Sequence, residues 1–321
     1  MAKIVLTCTG TEFLLRDIVF PGVEEMFEDL SAAAGGADLL VSHPLTIAAP
    51  LVAESRKLNW ASVVLAPLSF FSPHDFPVFP PAPWLKSLER LGTWPGHMLV
   101  RLSKGMTKRW AGPVYALRKR LGLAPGGNPM FEGQHAPDLV LALYSAVLGD
   151  AQPDWPPNVR VTGHVFHDAP HGSALSSEIE SFLEVGPPPI VFTLGSSAVF
   201  VAGDFWRESI AAVQRLGTRA VLLTGRESAG ARLPALPPGI LAVDVAPHSL
   251  LFPRAAVVVQ QCGIGTMAQS LRSGRPMLAV PYPHDQPDNA WRAQVCARMN
   301  PAASERRLHN RCRTPSLDRS P

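Results

Sequence analysis

Residues 245–290 read VAPHSLLFPRAAVVVQQCGIGTMAQSLRSGRPMLAVPYPHDQPDNA, and the order of residue types in this stretch decides the fold. An apolar run, Ala255–Val259, continues to Gln260-Gln261 and breaks into Cys262-Gly263-Ile264-Gly265-Thr266. A helical pattern follows through Ser273 and stops at Gly274. Glycines at a strand-to-helix turn let the backbone approach a ligand closely. The helix start adds unpaired N–H groups and the positive end of its dipole. At the C-terminal edge of a parallel sheet such a turn is a seat for a diphosphate. A tight structural turn explains Gly263-Ile264-Gly265-Thr266 equally well.

Three further stretches fall at strand ends. The next apolar run closes in Pro281-Tyr282-Pro283-His284-Asp285-Gln286. A carboxylate beside an amide can grip two adjacent sugar hydroxyls, although Asp285 also suits the cap of a helix starting near Pro287. Upstream, Thr193-Leu194-Gly195-Ser196-Ser197 offers hydroxyls and a backbone nest for phosphate oxygens, or is a plain Ser-rich turn. Ala246-Pro247-His248 follows another run and could meet a nucleotide base, or His248 is an ordinary loop histidine. A parallel sheet would place all four stretches along one edge, which makes a shared ligand the better reading of the set.

Working outward, short apolar runs alternate with helical patterns along the chain. They are Ile4–Thr9, Asp38–Ser42, Ser62–Ala66 and Asp138–Leu143, then Ile190–Leu194, Ala220–Thr224, Leu241–Val245, Ala255–Val259 and Met277–Pro281. Continuous rather than alternating apolar runs suit strands buried on both faces. Asp204 can cap a helix reaching Leu216, with Trp206, Ile210 and Val213 on one face. The repeated alternation predicts α/β architecture with parallel sheets. Pro-rich sequence around Phe166–Ser176 and Pro187-Pro188-Pro189 divides the chain into two domains, expected at 1–178 and 179–299, with an irregular tail over 300–321.

Composition excludes several classes. With 321 residues at 46% hydrophobic, the chain can bury two ordinary cores, and a net charge of +3 demands no nucleic acid. Charged residues at 17% and 33 prolines argue against a coiled coil or a disordered tail protein. Cys8, Cys262, Cys296 and Cys312 have no metal-cage or disulfide spacing, so a reducing cytoplasm and no metal are expected. Arg101, Lys104, Lys108, Arg109, Arg118, Lys119 and Arg120 lie in an acid-free stretch from Arg90 to Met130. That stretch is either a solvated helix face or an attraction to an anionic membrane surface or acidic substrate. Phe70, Phe71, Phe76 and Phe79, within Pro67–Pro83, either line an apolar pocket or pin a loop to the core.

The long motif run from Val245 to Ala290 resembles the donor-domain signature of the bacterial UDP-glycosyltransferase superfamily, related to glucuronosyltransferases and to antibiotic and sterol glucosyltransferases. Weaker similarity covers Asp138–Asp168 and residues 21–85, so most of residues 14–298 is included. The resemblance implies a GT-B fold: two Rossmann-like domains facing a cleft, with a UDP- or dTDP-sugar as co-substrate and no metal or other cofactor. It implies that Gly263, Gly265 and Thr266 contact the donor diphosphate with Ser196 and Ser197 nearby. Asp285 and Gln286 would hold the hexose, and His248 would lie by the base or ribose. The implied reaction is inverting transfer of a hexose to a hydroxyl of a lipophilic acceptor: a natural product, sterol or glycolipid.

The chain departs from that family's pattern in three places. Gln261-Cys262-Gly263 stands where His-Gly-Gly is usual. Gln261 can donate a neutral hydrogen bond but not a charge-assisted one, and Cys262 is expected to crowd the phosphate approach. Cys8-Thr9-Gly10-Thr11 runs straight into sequence that belongs well downstream, skipping the segment that often carries the general-base histidine. His43 follows a strand end but matches no catalytic position of the family, leaving it as the candidate base by position alone. After Met299 the sequence turns Arg-rich and aperiodic, so the chain is expected to be truncated at both ends. A nucleotide-sugar-binding remnant without turnover is the main rival reading, and a sugar-nucleotide epimerase of the same fold the lesser one.

Overall fold

The computed structural model describes residues 10–79, 82–170, 172–196, 198–225 and 236–299, with side chains through 297. The expected strand Ile4–Thr9, Ser197 and the tail Pro301–Pro321 lie outside the described residues. The chain divides into two compact units meeting between Val165 and Phe166. Each contains one parallel sheet, giving two parallel-sheet α/β domains.

In the unit ending at Val165, four parallel strands stand in chain order: β1 Leu39–Ser42, β2 Asn59–Val64, β3 Val140–Ala142 and β4 Val159–Val161. Leu39 pairs with Asn59, Ser62 with Val140 and Val140 with Val159. Strand β4 was not expected: it has three residues with exposed Arg160 at its centre, too short and polar to read as a run. Strand β1 also differs from the expectation of burial on both faces. Leu40 and Ser42 are buried, Leu40 packing against the helix Ala49–Arg56, while Leu39 and Val41 are exposed. A second core gathers Leu15, Phe20, Val23, Leu51, Val114 and Leu117 where the helices Val23–Ala33, Ala49–Arg56 and Gly112–Arg120 meet.

The unit from Phe166 onward has five parallel strands: β5 Ile190–Thr193, β6 Ala220–Leu223, β7 Ile240–Val243, β8 Val257–Gln260 and β9 Met277–Ala279. Their spatial order is β7-β6-β5-β8-β9. Phe192 and Leu222 pack on one face with Trp206, Ile210 and Val213, whereas Val191 and Val221 pack on the other with Ile179, Leu183 and Leu251. Successive side chains thus enter cores on both sides of the sheet, as the continuous apolar runs imply. Each fully buried Val or Leu contributes about 1.5–3 kcal/mol.

The helices follow their termini. Ser176 accepts the Ile179 N–H at 3.4 Å to start Ser177–Glu184, and Gly217, at φ 58°, ends Phe205–Leu216. Asp204 stands at the start of the latter helix but does not cap it with its side chain; its carboxylate pairs with Arg207 at 3.1 Å instead. The unit boundary lies ahead of the expected 178/179 line for a physical reason. Leu175 packs into the second unit's core and Asp168 is bound by Arg272 at 2.7 Å and Gln269 at 3.2 Å, so the lead-in sequence belongs to the second unit.

Candidate functional site

In the second unit the chain leaves β5 toward β6 on one side and later returns to place β8 on the other. Between β5 and β8 the connections therefore diverge, and ligands of open α/β sheets bind at the carboxyl ends of strands beside such a switch point. Thr193 pairs with Gln260, so the two strands end level. The loops opening there are Leu194–Ser196 and Gln261–Gly263, two of the stretches singled out in the sequence.

Gly195 lies at φ 64°, with its N–H donated to Thr193 Oγ1 at 3.2 Å. A Cβ on Gly195 would overlap Gln261 Nε2 and lie 3.4 Å from Thr266 Oγ1. Gln261 and Thr266 thus converge on the turn that carries Ser196. Gln261 is buried, and its Oε1 has no hydrogen-bond partner. The helix Ile264–Arg272 starts at Gly263 with no side-chain cap, so its first N–H groups remain available. A Cβ on Gly265 would meet nothing within 4 Å, which leaves room beside those groups. Donors, a dipole end and space coincide, the requirements of an anion seat.

Cys262 behaves differently from expectation. Its φ of 65° is the left-handed region that glycine tolerates best. The side chain turns away from the turn's open side and is fully buried with Ala279 and Ala290. Gln260 Oε1 accepts the Cys262 N–H at 2.6 Å, fixing the loop from behind. The thiol therefore does not crowd a phosphate; the cost of a side chain at this position is backbone strain.

A residue the sequence reading passed over joins the two halves of the site. Asn289 is fully buried and its Nδ2 donates to the Cys262 carbonyl at 3.0 Å and to Asp285 Oδ2 at 2.7 Å. Its Oδ1 has no partner. The available signal was its place one helical turn after Asp285 in Gln286–Met299. Burial raises the Asp285 carboxyl above the usual range, opposed by the Asn289 hydrogen bond. Gln286 has a structural role in the described loop: it is buried, and its Oε1 accepts the Tyr282 N–H at 2.8 Å.

His248 opens a short helical turn, His248–Leu251, that packs against Ile264–Arg272. Its ring stacks on Phe252 at 4.4 Å, and burial pushes its pKa down to about 4, leaving a neutral imidazole at pH 7.

His43 lies in the other unit, just past β1. Its Nδ1 accepts the Leu45 N–H at 3.3 Å, and burial lowers its pKa. Close by is His135, another residue the sequence reading missed because its loop carries no motif. Burial, and then the neighbouring His43, push its pKa down to about 4. Neither ring nitrogen of His135 has a hydrogen-bond partner. It lines a cavity of about 520 Å³ with Ile47, Leu51, Leu58, Trp60 and Val114. The Phe-rich loop does not line this cavity. Phe70 stacks on Trp155 at 4.0 Å and Phe71 meets Phe131 at 5.0 Å, so these two pin the loop, while Phe76 and Phe79 meet each other at 5.2 Å within it. Among the described residues, no three His, Cys, Asp or Glu side chains are grouped to hold a metal.

No family model matches the chain. It is 33% identical over 288 residues to O-mycaminosyltylonolide 6-deoxyallosyltransferase of Streptomyces fradiae, covering 87% of this chain and 63% of that protein. It is 32% identical over 145 residues to a sterol 3-beta-glucosyltransferase of Arabidopsis thaliana, covering 45% of this chain and 22% of that one. The solved spinosyn rhamnosyltransferase complexed with thymidine diphosphate superimposes with a TM-score of 0.58 at 16% identity, over 88% of this chain and 64% of that chain. The architecture is that of the GT-B glycosyltransferases. By sequence the chain is a homologue of antibiotic and sterol glycosyltransferases, consistent with a member of the UDP-glycosyltransferase superfamily. It spans less than two thirds of the Streptomyces relative's length.

Proposed function

We propose that the chain belongs to a glycosyltransferase that moves a hexose from a UDP- or dTDP-sugar to a hydroxyl of a lipophilic acceptor, with inversion and without a metal or other cofactor. The observation that carries this reading is the convergence of Gly195, Gln261 and Thr266 at an uncapped helix start, joined through Asn289 to Asp285. In this reading Ser196, Ser197, Gly263, Gly265 and Thr266 hold the diphosphate and the helix N-terminus stabilises it as it leaves. Asp285 takes the hexose hydroxyls, Gln286 shapes the loop behind it, and neutral His248 faces the base or ribose. The likeness to a structure complexed with thymidine diphosphate supports a nucleoside-diphosphate donor. The tylonolide- and sterol-directed relatives support a lipophilic acceptor. His43 is the candidate for the acceptor's base, its Nε2 not engaged in the bond that holds Nδ1. The scattered cysteines support a cytoplasmic location. The Arg101–Arg120 segment supports peripheral contact with a membrane.

Calorimetric titration with UDP, dTDP and their glucose conjugates tests the donor seat. Saturable binding is expected, weakened by ~1–3 kcal/mol in Thr266→Ala and in Asp285→Ala. Affinity unchanged from the wild type in both variants sinks the assignment. A second reading, a binding remnant without turnover, is favoured by Gln261, a neutral amide where the resembling family has an imidazole. Sugar transfer by purified protein from labelled donors to an acceptor panel excludes it.

A further inference from the structure

The helix Trp94–Thr107 turns an apolar stripe to the outside. Trp94 is 58% exposed, Leu102 57% and Met106 71%, with Met98 between them. These residues are four apart and so share one face. The opposite face is fixed inward: a Cβ on Gly96 would sit 2.7 Å from the Pro73 carbonyl, and Thr107 is buried. The helix is therefore held with its stripe outward rather than free to roll it under. Exposed Trp84 and Leu91 extend the apolar surface along the preceding turn Pro83–Leu91, which packs against this helix.

Glu132 and Glu89, the carboxylates nearby, are paired with Lys104 and Lys86, so the unpaired charges beside the stripe among the described residues are cationic. Exposed Arg101 stands on the same helix to one side of the stripe, and exposed Lys108 and Arg109 follow at its C-terminal end. None of the three has an ion pair among the described residues, whereas Lys104 pairs with Glu132 at 2.9 Å. Further along the same acid-free stretch, Arg118 and Arg120 are engaged with Glu54 and Glu24. The basic segment thus splits into a structural part and a part whose cations border exposed apolar side chains. An apolar stripe with a terminal Trp and one-sided cations is the pattern of a helix lying in the headgroup layer of a bilayer. A second copy of the chain is a poor fit, since a two-fold contact would set like charges against one another.

We propose that this helix docks the first unit on an anionic membrane surface, Trp94, Met98, Leu102 and Met106 entering the headgroup layer and Arg101, Lys108 and Arg109 meeting lipid phosphates. The inference deepens the lipophilic-acceptor reading, because it places the chain where such acceptors concentrate. It rests on this surface alone and not on the donor seat.

The test is flotation of the full chain with phosphatidylcholine vesicles, with and without phosphatidylglycerol, at low and raised salt. Binding is expected only with phosphatidylglycerol and is expected to fall with salt. Leu102→Glu with Met106→Glu, and separately Arg101→Glu with Lys108→Glu, should each lower partitioning more than tenfold. All four positions are on the surface, and donor titration, unchanged in both variants, reports that the protein is folded and separates this outcome from failure of the donor reading. No flotation with anionic vesicles overturns the proposal, as does flotation that both variants retain. Self-association, or binding to an acidic protein, that the glutamate variants abolish while vesicles are ignored also overturns it.

Discussion

The two units put their functional features in different materials. In the second unit they are built from backbone: a glycine at φ 64°, a helix start without a cap, and a buried asparagine linking a carbonyl to a carboxylate. In the first they are side-chain surfaces: a cavity of about 520 Å³ walled by apolar residues together with His135, Glu54, Arg118, Glu132 and Asp138, and a helix with its apolar stripe outward. The sheets repeat the contrast. Strands β5, β6 and β8 are buried on both faces, while β1 leaves Leu39 54% and Val41 55% exposed. Backbone sites need particular residue types and so leave a mark in sequence. Surface sites need only a composition, which many solvated helices share.

The sharpest way to break this contrast is Gly195→Val. A side chain there must displace Gln261 and accept a left-handed backbone, costing about 2 kcal/mol in stability from the backbone alone. Donor affinity should fall more than a hundredfold, ~3 kcal/mol or more by titration. Donor affinity that survives would show that the second unit's site does not depend on its turn.

Acid titration probes both units at once. His135 in the first and His248 in the second are held neutral, each with its pKa near 4 against 6.5 for a free imidazole. The unfolded chain binds these protons below 6.5 and the folded chain does not. Stability is therefore full above pH 6.5 and declines toward pH 4, with a ceiling of ~3 kcal/mol per imidazole. Urea melts between pH 7 and pH 4.5 should show the loss, and His135→Phe should flatten it for the first unit. An unchanged slope in that variant would mean His135 is solvated and the cavity wall is not dry.

Asn289→Ala tests how the second unit's halves are joined. It leaves the Cys262 carbonyl and the Asp285 carboxylate each without one donor, and ~1–3 kcal/mol of stability should be lost in thermal melts. If donor affinity falls with it although Asn289 itself is buried, the residue positions the seat. If affinity holds, the turn and Asp285 act separately.

The parallel-sheet architecture, the strand-end turns and the helix Ile264–Arg272 were legible because each imposes a local rule on residue type. Asn289 was not, since a buried amide bridging two loops looks like any polar helix residue until the loops are in place. His135 lies in an aperiodic loop and gains meaning only beside His43 and the cavity. Strand β4 is three residues with Arg160 at its centre, held by pairing to β3 rather than by its own pattern. The side-chain direction of Cys262 was misread for a related reason. Sequence shows that a side chain is present at the turn but not that Ala279 and Ala290, two small residues, leave it a place behind.

The smallest expected effect is also the most diagnostic of backbone control. In ordinary helix or strand positions Ala is more stable than Gly by roughly 0.5–1 kcal/mol. At position 262 the order should invert. Cys262→Ala keeps the left-handed strain and loses the thiol's packing against Ala279 and Ala290. Cys262→Gly loses that packing and the Cβ as well but relieves the strain, worth about 1 kcal/mol. Denaturant melts should therefore place the Gly variant above the Ala variant, with the wild type near the Gly variant as packing and strain offset. If Ala is the more stable of the two, the turn tolerates a side chain without cost.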